Sequence, residues 1–369
     1  MIAADKNKPV RYAVVGLGYI AQIAMLPAFA HARSNSRLGA IISGDPVKLK
    51  RLGELYGVAV RGDYSQFESC LADVDAVYIS TPNSRHEEFA VRAARLGKHV
   101  LCEKPLAVTD AECERMIEAC DEAGVQLMTA YRLHFDPISL EILERVRRGE
   151  IGDLRYFNSS FSMQARPGGI RTKHATGGGT LYDIGIYCIN AARVLFGSEP
   201  EQVFAYSIAG ERSGMPEVDD TTSVTMRFRG DRLATFVTSF DAGDVSSYRI
   251  VGTKGSIHVE PAYEYAEPLA YTLTVGERTQ KKRGKKVDQF AAELLYFSDC
   301  INGRRKPEPS GEEGAWDVLI IDALYESARR GTPIALREFA GEPGPSKKQK
   351  SSQPPVSKPT LVRAKAPHS

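Results

Sequence analysis

Tyr12-Ala13-Val14-Val15-Gly16-Leu17-Gly18-Tyr19-Ile20-Ala21 is a short apolar run, broken by two glycines, that resumes in helix-forming residues. It reads as a buried strand, a tight turn and the opening of a helix. The spacing Gly16-x-Gly18-x-x-Ala21 lets the backbone turn sharply and approach a pyrophosphate, which then sits on exposed N–H groups at the helix start. Gly16, Gly18, Tyr19 and Ile20 are therefore candidate contacts for a dinucleotide. The same glycines argue against another reading of this region. Tyr12–Ala30 is a nineteen-residue stretch without a charge, preceded by Lys6, Lys8 and Arg11 and ending in Ala28-Phe29-Ala30. A signal peptide or membrane span of that length is conceivable, but Gln22, Pro27 and the glycine punctuation suit neither.

Further along the chain, apolar runs at 11–15, 38–43, 75–81, 98–103 and 125–130 alternate with helical stretches such as 46–57, 83–96, 109–123 and 137–149. That alternation predicts a parallel, doubly wound sheet, a Rossmann-type dinucleotide-binding domain over residues 9–130. After Gly152 the period becomes two, as in Leu154–Met163, Thr221–Arg229, Leu233–Phe240 and Tyr248–Val251, with Gly252-Thr-Lys-Gly255 as a hairpin turn. Residues 131–340 are thus expected to form an α+β domain with a large, mainly antiparallel, open sheet. One helix is expected from Gly177-Gly178-Gly179 to about Phe196. Another starts at Ser310, with Glu313 completing a capping box and Val318, Ile321, Ala323 and Leu324 facing inward. Residues 341–369 hold six prolines and many Ser and Lys, and read as a disordered basic tail.

Composition narrows the function classes. At 43% apolar and 25% charged residues over 369, the chain is an ordinary globular sequence. The five lysines and Arg363 beyond residue 340 face only Glu342, a net charge of +5 within an overall +2, so the other 340 residues sum to −3. A mildly acidic body offers no footprint for nucleic acid. The six cysteines include no CxxC pair and read as buried thiols; the seven histidines are scattered, and no metal site is expected.

Three further motifs carry chemistry. The second strand ends in Ser43-Gly44 without a carboxylate at its tip, where an NAD site usually places one. Asp45-Pro46 reads as an N-cap and first helical residue, and Lys48 follows in the first turn. A hydroxyl, free N–H groups and an ammonium suit a 2′-phosphate, hence NADP rather than NAD; a merely solvated Lys48 is the alternative. Glu103-Lys104-Pro105 lies at the carboxyl edge of a strand, where ligands bind, so Lys104 is a candidate acid/base group whose neutral form desolvation favours. Asp183 and Tyr187 stand at i,i+4 on one helix face, with Gly185 between them. Either something passes close to the backbone there, or Gly185 is a packing glycine and Tyr187 a buried aromatic.

Together the Gly16–Ala21 turn, Thr81-Pro82-Asn83 with His86, Glu103-Lys104-Pro105, Tyr131-Arg132 and Gly177–Tyr187 resemble the Gfo/Idh/MocA oxidoreductase superfamily over residues 10–338. The likeness is nearest to the subgroup of glucose–fructose oxidoreductase, aldose 1-dehydrogenase and dihydrodiol dehydrogenase, which has tyrosine where many members have histidine at position 187. Ser43-Gly44 with Lys48 is similar to its NADP-binding turn, and Ser310–Gly314 to its C-terminal helix start. The resemblance implies that Tyr187 exchanges a proton with a sugar hydroxyl or carbonyl, that Lys104 holds that oxygen and lowers the tyrosine's pKa, and that Asp183 positions polyol hydroxyls. It also implies that Arg132 and Glu103 shape the nicotinamide end and that Thr81, Pro82, Asn83 and His86 line the cofactor groove. The segment Gln164–Thr176 lacks the tryptophan often found before the glycines.

The expected function is NADP-dependent hydride transfer to or from a sugar or polyol. Its alternatives are a sugar transhydrogenase or 3-keto-sugar-forming dehydrogenase that retains its cofactor, and a non-enzymatic dinucleotide sensor. With nine residues ahead of the first strand, neither an export leader nor a cofactor-wrapping N-terminal arm is expected. The chain reads as cytoplasmic, with no membrane or nucleic-acid partner, and as a homodimer or homotetramer through the C-terminal sheet.

Overall fold

The computed structural model describes residues 8–211, 213–265, 267–338, 344–346 and 349–367. Strands β1 (Val10–Val15), β2 (Ser36–Ile42), β3 (Val60–Gly62), β4 (Ala76–Ile79), β5 (His99–Glu103) and β6 (Leu127–Ala130) form a parallel sheet in the order β3-β2-β1-β4-β5-β6. The order reverses between β1 and β4, and the carboxyl ends flanking that switch point form the crevice where such sheets bind ligands. At the centre of the sheet β4 (Ala-Val-Tyr-Ile) is a continuous apolar run, buried at every position.

The second sheet has nine strands: β7 (Leu154–Gln164), β8 (Pro200–Gly210), β9 (Met215–Phe228), β10 (Arg232–Ser239), β11 (Asp241–Gly252), β12 (Gly255–Val259), β13 (Ala270–Val275), β14 (Arg278–Arg283) and β15 (Ile334–Ala335). Their order is β14-β13-β12-β11-β7-β10-β9-β8-β15, antiparallel throughout except for the parallel pair β7–β10. Helices Pro137–Arg147, Ile186–Phe196 and Gly311–Arg330 share a core with its inner face. Its outer face lies open, and on β10 the alternation is clear: Ala234, Phe236 and Thr238 are buried while Leu233 and Val237 are exposed.

Several expectations need correction. Helix Gln289–Gly303, absent from the sequence reading, returns to the first sheet and buries Phe290, Leu294 and Phe297 in the core under β1. Residues 290–300 thus share one core with strands of the first sheet. Ser310 caps its helix by accepting the Glu313 N–H at 3.3 Å, yet the reciprocal half of the capping box is missing. The Glu313 carboxyl is turned inward and buried beside Glu308.

Residues 341–343, 347–348 and 368–369 of the expected disordered tail lie outside the described residues, but the described part is docked. Arg147 donates to Pro345 O at 2.9 Å, Gln349 is buried against Glu308, and Val362 is buried against the first sheet's core. Composition alone misleads here. A few well-placed groups on the body, Gln22 among them, satisfy the backbone of a segment that has little apolar surface of its own.

Candidate functional site

Both glycines of the first turn are explained, each differently. Gly16 has φ +92°, and a Cβ there would fall 2.7 Å from Ser80 O and 2.8 Å from Thr81 N. The protein itself demands glycine at this position. At Gly18 a Cβ would meet nothing closer than Ser80 O at 3.9 Å. The space in front of it opens into the crevice, as a closely approaching ligand requires. Behind the turn the chain continues not as a regular α-helix but as a π-turn over Ala21–Met25 followed by Leu26–Ala28. Nearby, Thr81 Oγ1 is buried and finds no hydrogen-bond partner among the described residues. An open glycine and an orphaned hydroxyl at the switch point fit a nucleotide laid across the strand ends.

From this crevice a cavity of about 680 Å³ extends between the two sheets. Gly18, Tyr19, Ile20, Thr81, Pro82, Asn83 and His86 line its nucleotide side, and Glu103, Lys104, Arg132, Asp183 and Tyr187 its inner end. Gly16, Ser43, Gly44 and Lys48 stand outside it, around the turn and the tip of β2. There Asp45 caps helix Pro46–Tyr56, accepting from the N–H groups of Val47 (2.9 Å) and Lys48 (3.2 Å), and Ser43 Oγ accepts the Asp45 N–H at 3.3 Å.

At the inner end Lys104, following β5, donates from Nζ to the carbonyl of Asp183 at 2.7 Å and lies 4.5 Å from the ring centre of Tyr187. The π-turn Leu181–Gly185 leads into helix Ile186–Phe196, so Asp183 and Tyr187 straddle an irregular turn of the kind frequent at functional sites. Gly185 packs against Leu181 and Thr238, the bland reading for that glycine. Tyr187, in contrast, is only half-buried and faces the cavity, edge-on to Phe161 and tilted against Tyr263. The Arg132 guanidinium stacks 5.1 Å from the Tyr187 ring and is fixed from behind by Gln289 Oε1 (2.8 Å) and the carbonyls of Tyr263 and Glu264.

The sequence reading missed some of these partners. Arg171 donates from Nε to Asp183 Oδ2 at 2.7 Å and, with Phe161, Tyr263 and Tyr265, borders the same cavity. In the sequence that segment, Gln164–Thr176, stands out only by its missing tryptophan. Two expected groove residues act as braces. His86 is fully buried, its ring nitrogens 2.9 Å from Pro105 O and 3.0 Å from Thr81 O, so it ties the two loops together. Asn83 donates to Gly177 O at 2.8 Å and joins the β4 loop to the glycine-rich segment.

Carboxyls behind the site are pushed towards neutrality. Burial raises the Glu103 pKa against the opposing Tyr78 hydroxyl, which donates to it at 2.5 Å, and against Lys104 and Arg132. Burial, and then the charge of Glu103, raise Glu293 well above the ordinary range, and both its oxygens lack hydrogen-bond partners among the described residues. Elsewhere, beyond Tyr131, one atom each of His134, Glu308 and Glu313 lies within 4.8 Å of the others. Burial and the Glu308 charge raise Glu313, while for Glu308 the neighbouring His134 and Glu313 outweigh burial and lower it.

Residues 10–131 match the profile of the oxidoreductase family with an NAD-binding Rossmann fold, and residues 139–258 match the Gfo/Idh/MocA C-terminal domain. The chain belongs to the Gfo/Idh/MocA family. Among solved structures it is similar to the aldose-aldose oxidoreductase of Caulobacter crescentus, at 38% identity and a TM-score of 0.85 over 89% of this chain and 100% of that one. It is also similar to KijD10, a 3-ketoreductase from Actinomadura kijaniata in complex with NADP and TDP-benzene (27% identity, TM-score 0.79, over 87% and 98% of the two chains). A D-xylose 1-dehydrogenase (NADP(+)) of Haloferax volcanii is 30% identical over 88% of this chain and 99% of its own length. No described helix is long and apolar enough to cross a membrane.

Proposed function

We propose that this member of the family is an NADP-dependent oxidoreductase of a sugar or related polyol, with Tyr187 and Lys104 as its proton-handling pair. The observation that carries the reading is their juxtaposition in one cavity, continuous with the nucleotide crevice, with Asp183 beside them. NADP supplies or accepts the hydride when bound. Tyr187 gives a proton to, or takes one from, the substrate oxygen. Lys104, held by the Asp183 carbonyl, offers its remaining N–H donors to the same oxygen. Asp183, steadied by Arg171, accepts from neighbouring substrate hydroxyls. The intact set favours catalysis over simple dinucleotide sensing. Six buried free thiols suit a reducing, cytoplasmic setting. Screening aldoses, ketoses and polyols with NADP and NADPH tests the proposal, and absence of turnover with every sugar class would overturn it.

The 38% identity to an aldose-aldose oxidoreductase favours a second reading, in which one sugar is oxidised and another reduced without coenzyme exchange. Coenzyme reduced by one aldose and reoxidised by a second, with no free NADPH detected, would distinguish it. The open sheet face supports a homo-oligomer. Tyr206 and Ile208 of β8 are 66% and 62% exposed, and across β9 from them Leu233 and Val237 of β10 and Tyr156 of β7 are exposed too. Sedimentation of wild type and Ile208→Asp checks that interface.

A further inference from the structure

After residue 348 the chain runs along the outside of helix Gln289–Gly303, where Gln349 donates to Glu308 O at 2.7 Å and the Asp288 N–H donates to Gln353 O at 3.2 Å. It then meets the nucleotide turn from behind. Gln22, buried in the π-turn after Gly18, grips the backbone of Val362 from both sides. Its Oε1 accepts the Val362 N–H at 2.7 Å, and its Nε2 donates to Val362 O at 3.0 Å. Both ends of this buried amide are therefore engaged with the C-terminal segment, and leaving them unpaired is costly. Beyond that anchor Arg363 takes φ +48°, unusual for a side-chain-bearing residue, and its guanidinium lies 3.5 Å from Asp45 Oδ1. Pro367 reaches the wall of the catalytic cavity.

We infer that residues 361–367 are a strap across the adenosine end of the nucleotide groove, and that Arg363 is a second cation for the 2′-phosphate of NADP. The inference rests on the NADP reading proposed above and adds a group outside the Rossmann domain to it. Without Arg363 the tip of β2 carries one carboxylate, Asp45, and one ammonium, Lys48, which cancel. A doubly charged phosphate arriving there meets repulsion and attraction in equal measure. Arg363 leaves the tip net positive. Its planar fork has five N–H donors, so pairing with Asp45 still leaves donors for a phosphate. Lys48 is pushed below its ordinary pKa, first by burial and then by Arg363, with Asp45 opposing. Two neighbouring cations with one carboxylate between them form a site short of an anion.

Calorimetric titration of NADP and of NAD into wild type, Arg363→Ala and a chain ending at Thr360 tests this. Arg363 is 63% exposed, so its removal leaves the fold intact. The expected result is NADP binding weakened about tenfold in Arg363→Ala, with NAD binding changed less than about twofold. The truncated chain should lose at least as much NADP affinity and release NADP faster in stopped-flow displacement. A wild type that prefers NADP, with both variants indistinguishable from it, overturns the strap and leaves the NADP reading standing. Equal weakening of NADP and NAD overturns the phosphate role of Arg363. Equal binding of both coenzymes by wild type overturns the NADP reading, and the assignment of Arg363 with it.

Discussion

Carboxyl groups at the two ends of the nucleotide groove are pushed in opposite directions. At the tip of β2, desolvation acts to raise Asp45, but the N–H groups of Lys48 and Val47, then Arg363 and the Lys48 ammonium, bring it below its ordinary value. At the inner end burial raises Glu103 and, further still, Glu293. The outer end keeps the charges of Asp45 and Arg363 in contact with water. At the inner end burial disfavours charge on Glu103 and Glu293, and Asp183 is paired with Arg171, which leaves Arg132 and Lys104 as the cations around Tyr187. Substitutions at the inner end should therefore be felt in turnover, and those at the outer end in coenzyme choice.

The largest test of that division is Tyr187→Phe. Turnover should fall at least about 100-fold, the range for a positioned acid/base group, while NADP binding by calorimetry stays near wild type. A variant that kept wild-type turnover with hydride transfer limiting would remove Tyr187 from the chemistry. Lys104→Ala should match it, with an added structural cost because the Asp183 carbonyl loses its donor.

The paired glycines sharpen the comparison. Gly16→Ala forces a side chain onto Ser80 O at φ +92° and should cost about 1–3 kcal/mol of stability, seen as a lowered melting temperature. Gly18→Ala has room within the protein, so its melting temperature should hold while nucleotide affinity falls. Should the two variants melt alike, the separation of a packing glycine from a ligand-facing one is wrong. At the outer end, Lys48→Ala should weaken NADP binding roughly tenfold, the worth of one charge-assisted hydrogen bond, and hardly alter NAD binding. Loss of both affinities together would make Lys48 structural.

Local signals in the sequence were legible. The strand-turn-helix of Gly16–Ala21 and the Asp45-Pro46 cap depend on neighbours a few residues away, and the structure has both, although a π-turn replaces the expected first helical turn. What escaped depends on distant partners. Helix Gln289–Gly303 is buried on nearly every side, so it shows no 3.6-residue stripe. Strand β14 (Arg-Thr-Gln-Lys-Lys-Arg) is exposed at every position and reads as a charge run. Arg171 is a functional-site partner only because a loop of 3₁₀ turns sets it beside Asp183, twelve residues on. Val362 is held by a glutamine 340 residues earlier, and no composition reading of residues 341–369 contains that pairing.

The smallest effect concerns Glu293, the carboxyl behind the inner end whose oxygens find no hydrogen-bond partner among the described residues. Its pKa in the fold lies well above the ordinary value of 4.5, so between those two values the folded chain binds one more proton than the unfolded chain. Stability from this group is therefore fully present below about pH 4.5 and is lost as pH rises towards the folded value, with a slope of at most about 1.4 kcal/mol per pH unit. Glu293→Gln keeps the shape of the neutral acid and removes the proton. Other titrating groups are common to both chains and cancel in the difference. The melting temperature of the variant minus that of wild type should rise as pH increases above the ordinary carboxylate value. A difference that stays flat as pH increases would mean Glu293 is ionised in the folded protein. The inner end would then hold a buried carboxylate opposite Arg132, and the contrast between the two ends of the groove would fail at that residue.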